Sequence, residues 1–119
     1  MQQQRRVIVT GASSGIGAAA VRMFRANGWA VLGVARRADR LAALAAETGC
    51  DVLVVDVTDG DSVAAMVEHL EQLGPVHALV NNAGGAFGQD SIESGDVDEW
   101  RRMYEVNGIG VKRVITAVL

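Results

Sequence analysis

The chain has 119 residues, half of them apolar and 21% charged, with a formal net charge of −3. That length supports one globular core, an acidic balance with interspersed Lys and Arg gives no basic face for nucleic acid, and no apolar run approaches the roughly 18 residues of a membrane helix. A single cysteine, Cys50, leaves no internal disulfide, and two histidines, His69 and His77, have no ligand spacing, so no metal site is expected.

Residues 1–6 run directly into strand-like sequence with no apolar signal core, which makes the cytoplasm the expected location. Arg6 to Thr10 reads as a first strand. Gly15 to Asn27 reads as a first helix with Ile16, Ala20, Met23 and Phe24 on its inward stripe and Asn27-Gly28 as its stop. Ala30 to Ala35 forms a second strand, and Leu41, Leu44 and Ala45 mark a second helix ending near Gly49. Val52 to Val55 reads as a buried third strand. Thr58 to Asp61 has capping-box spacing before a third helix, whose stripe is Val63, Met66, Val67, Leu70 and Leu73 and which Gly74-Pro75 ends. Val76 to Val80 is the fourth strand. A polar, glycine-containing stretch from Asn81 to Gly95 reads as loop, and Asp96 with Glu99 opens a last helix that continues to Leu119.

Strands alternating with helices predict an α/β fold, a doubly wound parallel sheet filling residues 1–119 as one domain. Right-handed crossovers give the strand order 3-2-1-4 and place a ligand crevice at the switch between the first and fourth strands. Glycine is over-represented, with 14 present where about 7% usage gives roughly eight. Several of these follow strands.

The most telling of them lie in Thr10-Gly11-Ala12-Ser13-Ser14-Gly15-Ile16-Gly17, between the first strand and the first helix. A helix start offers unpaired N–H groups and a partial positive charge, and glycines let a phosphate approach them. Read alone, the segment is also compatible with a plain glycine-rich turn capped by Ser13 or Ser14. Its spacing is Gly-x-x-x-Gly-x-Gly, which resembles the cofactor motif of the short-chain dehydrogenase/reductase family. Asn81-Asn82-Ala83-Gly84 is similar to the family's second signature, Asp56-Val57 sits where the family contacts the adenine, and Asn107 falls at the family's catalytic asparagine. The resemblance spans the chain. It implies a Rossmann-type sheet and a nicotinamide cofactor bound by Gly11, Ser13, Ser14, Gly15, Ile16, Gly17, Asp56, Val57, Asn81, Asn82, Ala83 and Gly84. Val106-Asn107-Gly108-Ile109-Gly110 and Arg36-Arg37 point toward the NADP-dependent 3-hydroxy acid and serine dehydrogenases.

The second strand ends in Arg36-Arg37, with no acid until Asp39. In dinucleotide folds an acid there bonds the ribose of NAD, whereas arginine suits the extra phosphate of NADP, so NADP(H) is expected over NAD(H). The competing reading makes both arginines solvated residues at a helix start. Asp56 has two open roles, adenine contact or helix cap, and Asn81 and Asn82 either support the cofactor or serve the turn. Asn107 lies on the apolar stripe formed with Trp100, Met103, Tyr104, Val111, Val114 and Val118, where an amide needs partners.

Carbonyl reduction also requires a proton donor and an orienting hydroxyl, which the family supplies as Tyr-x-x-x-Lys and an upstream Ser. Neither is present. Tyr104 is followed four residues later by Gly108 and precedes Asn107, so it reads as packing. The expectation is a sheet truncated before strand 5: the NADP(H)-binding portion of an oxidoreductase that acts on a small alcohol or carbonyl in its complete form. A short form that only binds NADP(H), as a sensor, and an assembly module remain open. Homo-oligomers through the last helix or the exposed edge of the fourth strand are expected.

Overall fold

A computed structural model describes residues 4–13, 15–82, 97–98 and 111–118. In chain order these form β1 (Arg6–Thr10), α1 (Gly15–Ala26), β2 (Ala30–Ala35), α2 (Ala38–Thr48), β3 (Asp51–Val54), α3 (Gly60–Leu73), β4 (Ala78–Val80) and α4 (Val111–Val118). The four strands make one parallel sheet in the order β3-β2-β1-β4. Since all run the same way, Thr10, Ala35, Val54 and Val80 end along a single rim, with Thr10 level with Val34, Ala35 with Val54 and Val9 with Val80. This is the Rossmann-type α/β architecture the alternating pattern implied.

Side chains alternate across the sheet, as strand geometry requires, and each set buries under a different pair of helices. Val7 and Val9 of β1 and Val31 and Ala35 of β2 pack with Ala18 and Val21 of α1 and with Leu41 and Leu44 of α2. On the opposite face Ile8, Leu32 and Val34 pack with Val63, Met66 and Leu70 of α3 and with Val114 of α4. A parallel strand covered on both sides is apolar along its interior, which is why Val7 to Val9 of β1 and Ala30 to Ala35 of β2 read as unbroken runs.

Four expectations are corrected. In α1 the buried residues are Gly17, Ala18 and Val21, while Ile16 and Met23 are 78% and 55% exposed. The inward face near the helix start is made of small residues, which let the helix approach the sheet but carry little hydropathy signal. Secondly, β3 covers Asp51–Val54 and is a half-exposed edge strand, with Val54 open to solvent and Val55 buried just beyond it. An edge lacks a neighbour on one side, and sequence hydropathy does not register that. Thirdly, α3 has no capping box: Asp59 is its N-cap and accepts from the Asp61 N–H at 3.0 Å, whereas the Thr58 hydroxyl turns back to Asp56. The fourth strand is also shorter than expected, although the His77 N–H still donates to the Arg6 carbonyl at 2.8 Å and the Arg6 N–H to His77 Nδ1 at 3.0 Å.

Helix ends are closed by local geometry. Gly49 takes a left-handed conformation (φ 74°) and its N–H bonds the Ala45 carbonyl, ending α2. Arg25, in the last turn of α1, donates to the Thr48 carbonyl at the end of α2 and to the Trp29 carbonyl just before β2, placing one cation where α2 leaves a carbonyl open. Arg22 adds a forked pair to Glu47 across the same two helices. Of the last helix, residues 97–98 and α4 are described, and Val114 is buried as its stripe position required; Trp100, Met103, Tyr104 and Asn107 lie outside the described residues.

Asp59→Ala removes the cap of α3 and is expected to lower stability by about 1 kcal/mol in urea unfolding, with Asp59→Asn retaining most of it.

Candidate functional site

The rim at the C-terminal ends of the strands gathers most of the sequence-predicted residues that the structure describes. Gly11 (φ 62°) and Gly15 (φ 57°) hold the left-handed turns that carry the chain from β1 into α1. Between them Ala12 is fully buried and its N–H donates to the Val34 carbonyl of β2 at 3.1 Å, so the loop is anchored to the neighbouring strand. Ser13 is half-buried, while Gly15 and Ile16 face solvent at the helix mouth. Ser14 lies outside the described residues.

Gly17 is required for space. A Cβ there would overlap the Gly11 carbonyl oxygen and stand 2.8 Å from Asn82 Nδ2. The same Asn82 amide donates to the Gly11 carbonyl at 3.3 Å, and the Asn82 backbone N–H donates to Thr10 Oγ1 at 2.8 Å. The Thr10 hydroxyl, fully buried, donates in turn to the Val80 carbonyl at 3.3 Å. The end of β1, the glycine loop, the first turn of α1 and the residues after β4 are thus one hydrogen-bonded unit at the strand-order switch. Asn82 is thus bonded to the glycine loop; Asn81 is exposed beside it, and Ala83 and Gly84 lie outside the described residues.

Arg36 and Arg37 leave the end of β2 with exposed side chains, and they differ in partners. Arg37 stands at the N-cap position of α2, where its side chain makes no cap, and its Nε lies 3.7 Å from Asp39 Oδ1. The charge of Arg36 acts instead on Asp56, after β3. Asp56 does not cap α3. Its Oδ1 accepts the Thr58 hydroxyl at 2.6 Å and the Thr58 N–H at 2.9 Å, and its own N–H donates to Ser62 Oγ at 2.9 Å. The Thr58 hydroxyl holds this carboxyl below the usual carboxylate range; partial burial opposes the effect, and the Thr58 N–H with the charges of Arg36 and Arg113 adds to it. Val57 is buried against the α3 face of the sheet.

Four contributors were not among the predicted site residues. Thr10 stands first in the loop motif without an assigned role, though a hydroxyl ending an apolar strand signals a buried acceptor or donor. Gly33 of β2 lets the loop seat, since a Cβ there would come within 3.1 Å of Ala12 Cβ. Thr58 and Ser62 orient Asp56 through contacts across a turn, for which the sequence has no periodic signal. Asn107 lies outside the described residues, and among the described residues no group of three or more His, Cys, Asp or Glu could hold a metal ion.

The sequence that builds this glycine loop, helix mouth and polar rim matches a short chain dehydrogenase family model over residues 5–119. The chain belongs to that family. An uncharacterized oxidoreductase of Mycobacterium tuberculosis is 46% identical over 117 residues, covering 98% of this chain and 45% of the relative. The NADP-dependent 3-hydroxy acid dehydrogenase of Salmonella typhi is 37% identical over 116 residues, covering 95% of this chain and 47% of its own length. Among solved structures, the closed form of a serine dehydrogenase complexed with NADP+ superimposes with a TM-score of 0.92 at 32% identity, covering 96% of this chain and 47% of that one. The chain therefore spans about half the length of the relatives it matches, and its similarity to the 3-hydroxy acid and serine dehydrogenases agrees with its sequence motifs.

Gly17→Ala is expected to cost about 2 kcal/mol in thermal or urea unfolding, because backbone rather than a flexible side chain must yield. By contrast Gly60→Ala, where an added Cβ comes no nearer to Arg113 Nε than 4.0 Å, leaves stability unchanged or raises it.

Proposed function

We propose that residues 1–119 form the NADP(H)-binding domain of an oxidoreductase whose complete form moves hydride between NADP(H) and a small alcohol or carbonyl. The observation that carries this reading is the composition of the rim: an anchored glycine loop at a helix mouth, flanked by Arg36 and Arg37 with no acid at the end of β2. The cofactor, when bound, supplies the hydride; the protein supplies position and charge.

Amides of Gly11, Ser13, Ser14, Gly15, Ile16 and Gly17 would bond the diphosphate, aided by the partial positive charge of the α1 N-terminus. Arg36 and Arg37 would take the 2′-phosphate through forked N–H donors. Asp56 and Val57 would flank the adenine, with Asp56 already oriented by Thr58. Asn81, Asn82, Ala83 and Gly84 would back the loop and bound the cofactor cleft. Family resemblance assigns Asn107 a catalytic place, holding a water near the reacting centre. The residues suit a pyridine nucleotide in that Gly17 lets the first turn of α1 close on the Gly11 carbonyl and Gly33 lets Ala12 seat, which together hold the loop, while Gly15 and Ile16 stay exposed at the helix mouth. The serine dehydrogenase structure that this chain superimposes on was solved with NADP+, which favours the same cofactor here.

A cytoplasmic setting suits the single buried, unpaired Cys50, and no helix among the described residues is long and apolar enough to cross a membrane. Among the described residues the outer edge of β4 has no strand beside it, and open edges of parallel sheets promote association. Pairing of copies through that edge or through the last helix follows.

Calorimetric titration tests the cofactor assignment. Wild type is expected to bind NADP+ more tightly than NAD+, and Arg36→Asp to weaken NADP+ by about tenfold or more while sparing NAD+. Equal affinities in wild type, or an unchanged ratio in the variant, would refute the preference. Light scattering across a concentration series tests association: mass should rise above that of one chain, and a monomer at every concentration would exclude it.

A further inference from the structure

We propose that Asn27-Gly28, at the end of α1, is a self-modification site: the pair cyclises to a succinimide that opens to aspartate or isoaspartate, and the helix stop built around it is the guard that sets the rate. This goes beyond the NADP(H) reading and does not depend on it.

The chemistry needs only the peptide and water. The Gly28 nitrogen attacks Asn27 Cγ, a new N–C bond forms and the Cγ–Nδ2 bond breaks, with the Gly28 proton leaving on ammonia. Water then opens the ring at one of its two carbonyls, giving aspartate or isoaspartate without oxidant or reductant. Glycine obstructs this attack least, because it has no side chain beside the nitrogen. Both residues are exposed, so water reaches them.

A Schellman stop surrounds the pair. The Gly28 N–H donates to the Arg25 carbonyl at 3.1 Å and the Trp29 N–H to the Phe24 carbonyl at 3.0 Å, around Gly28 in a left-handed conformation (φ 83°). The apolar contact that accompanies this motif is the edge-on pair of Phe24 and Trp29, with ring centroids 5.1 Å apart. Asn27 is held as well, since its Nδ2 donates to the Met23 carbonyl at 2.8 Å and ties the carboxamide to the last turn of α1. Gln4 Nε2 donates to the Gly28 carbonyl at 3.1 Å. Attack on Cγ has to break the Gly28 and Asn27 bonds together. The reactive form is therefore the locally opened stop, not the closed one.

The product disturbs the fold. Aspartate puts a carboxylate at a helix C-terminus, where the dipole disfavours it, and replaces a donor to Met23 by an acceptor. Isoaspartate routes the main chain through Cβ and adds an atom between residues 27 and 28, so Gly28 and Trp29 lose their register on Arg25 and Phe24. Trp29 leads directly into β2, and its carbonyl is held by Arg25. One chemical event thus loosens the junction between α1 and β2.

Tryptic peptide mapping by mass spectrometry tests this, with the full chain incubated in mildly alkaline buffer, either native or in urea. The peptide from Ala26 to Arg36 reports Asn27, and that from Met103 to Lys112 reports Asn107-Gly108, the other such pair, as the reference in urea. Asn27 is expected to convert in urea within about threefold of the rate of Asn107, and in native protein at least about tenfold more slowly than in urea, with both products formed. Phe24→Ala, which removes the apolar half of the stop, is expected to raise the native rate at least about threefold and to leave the urea rate unchanged. Equal native and urea rates, or a native rate indifferent to Phe24→Ala, would overturn the guard; no conversion of Asn27 in urea would overturn the site. Should Phe24→Ala fail to fold, Phe24→Leu decides in its place, since it keeps an apolar side chain but loses the ring pair: faster native conversion supports the proposal, and an unchanged rate overturns it.

Discussion

The arrangement depends on one close approach, the backbone of Gly17 against the carbonyl of Gly11. No side chain fits between them, and the Asn82 amide seals the contact by donating to that same carbonyl. Because Asn82 also receives its place from Thr10, and Thr10 from Val80, the approach of helix to loop is transmitted to two adjacent parallel strands. A loop held in this way is fixed by the protein's own contacts rather than by a ligand. The polarity of the parallel sheet does the remainder, since it brings every strand end to one rim.

The rim is asymmetric in charge. Among the described residues its β1 side is made of Thr10, Gly11, Ala12 and Ser13 with Asn82 beside them, and its β2 and β3 side carries Arg36, Arg37 and Asp56. Such a division suits an elongated anionic molecule that presents a diphosphate at one point and a further recognition group at another. The Thr58 turn keeps Asp56 ionised and pointed, and α4 contributes to the same corner through the Val57 carbonyl. α4 thus packs the lower core through Val114 and reaches the rim through Arg113, two neighbouring residues with separate duties.

Much of the fold was legible because parallel strands covered on both faces are apolar along their interior. Arg6–Thr10 and Ala30–Ala35 were located to the residue on that basis, and glycine stops marked the ends of α1, α2 and α3. The inward face of α1 was misread for a physical reason: the residues that approach the sheet most closely there are glycine and alanine, which a hydropathy stripe undervalues, while Ile16 and Met23 face solvent. The apolar composition of β3 implies burial, yet its place at the sheet edge leaves Val54 open. Of the candidate site, the loop, the arginine pair, Asp56-Val57 and Asn81-Asn82 were all visible as motifs, whereas Ser14, Ala83, Gly84 and Asn107 lie outside the described residues.

The sequence by itself determined the order of strands and helices, the topology that right-handed crossovers allow, and the family. These follow from short-range pattern: the two periods of hydrophobicity, the glycine stops and the spacing of a loop motif. Only the tertiary structure decided which of two equal-looking arginines is engaged by Asp39 and which acts on Asp56, and that Asp56 is bonded by Thr58 rather than used to cap α3. It also decided that Arg113 meets Val57. Such pairings depend on the distance between side chains far apart in the chain, and that distance exists only once the sheet and its helices have packed.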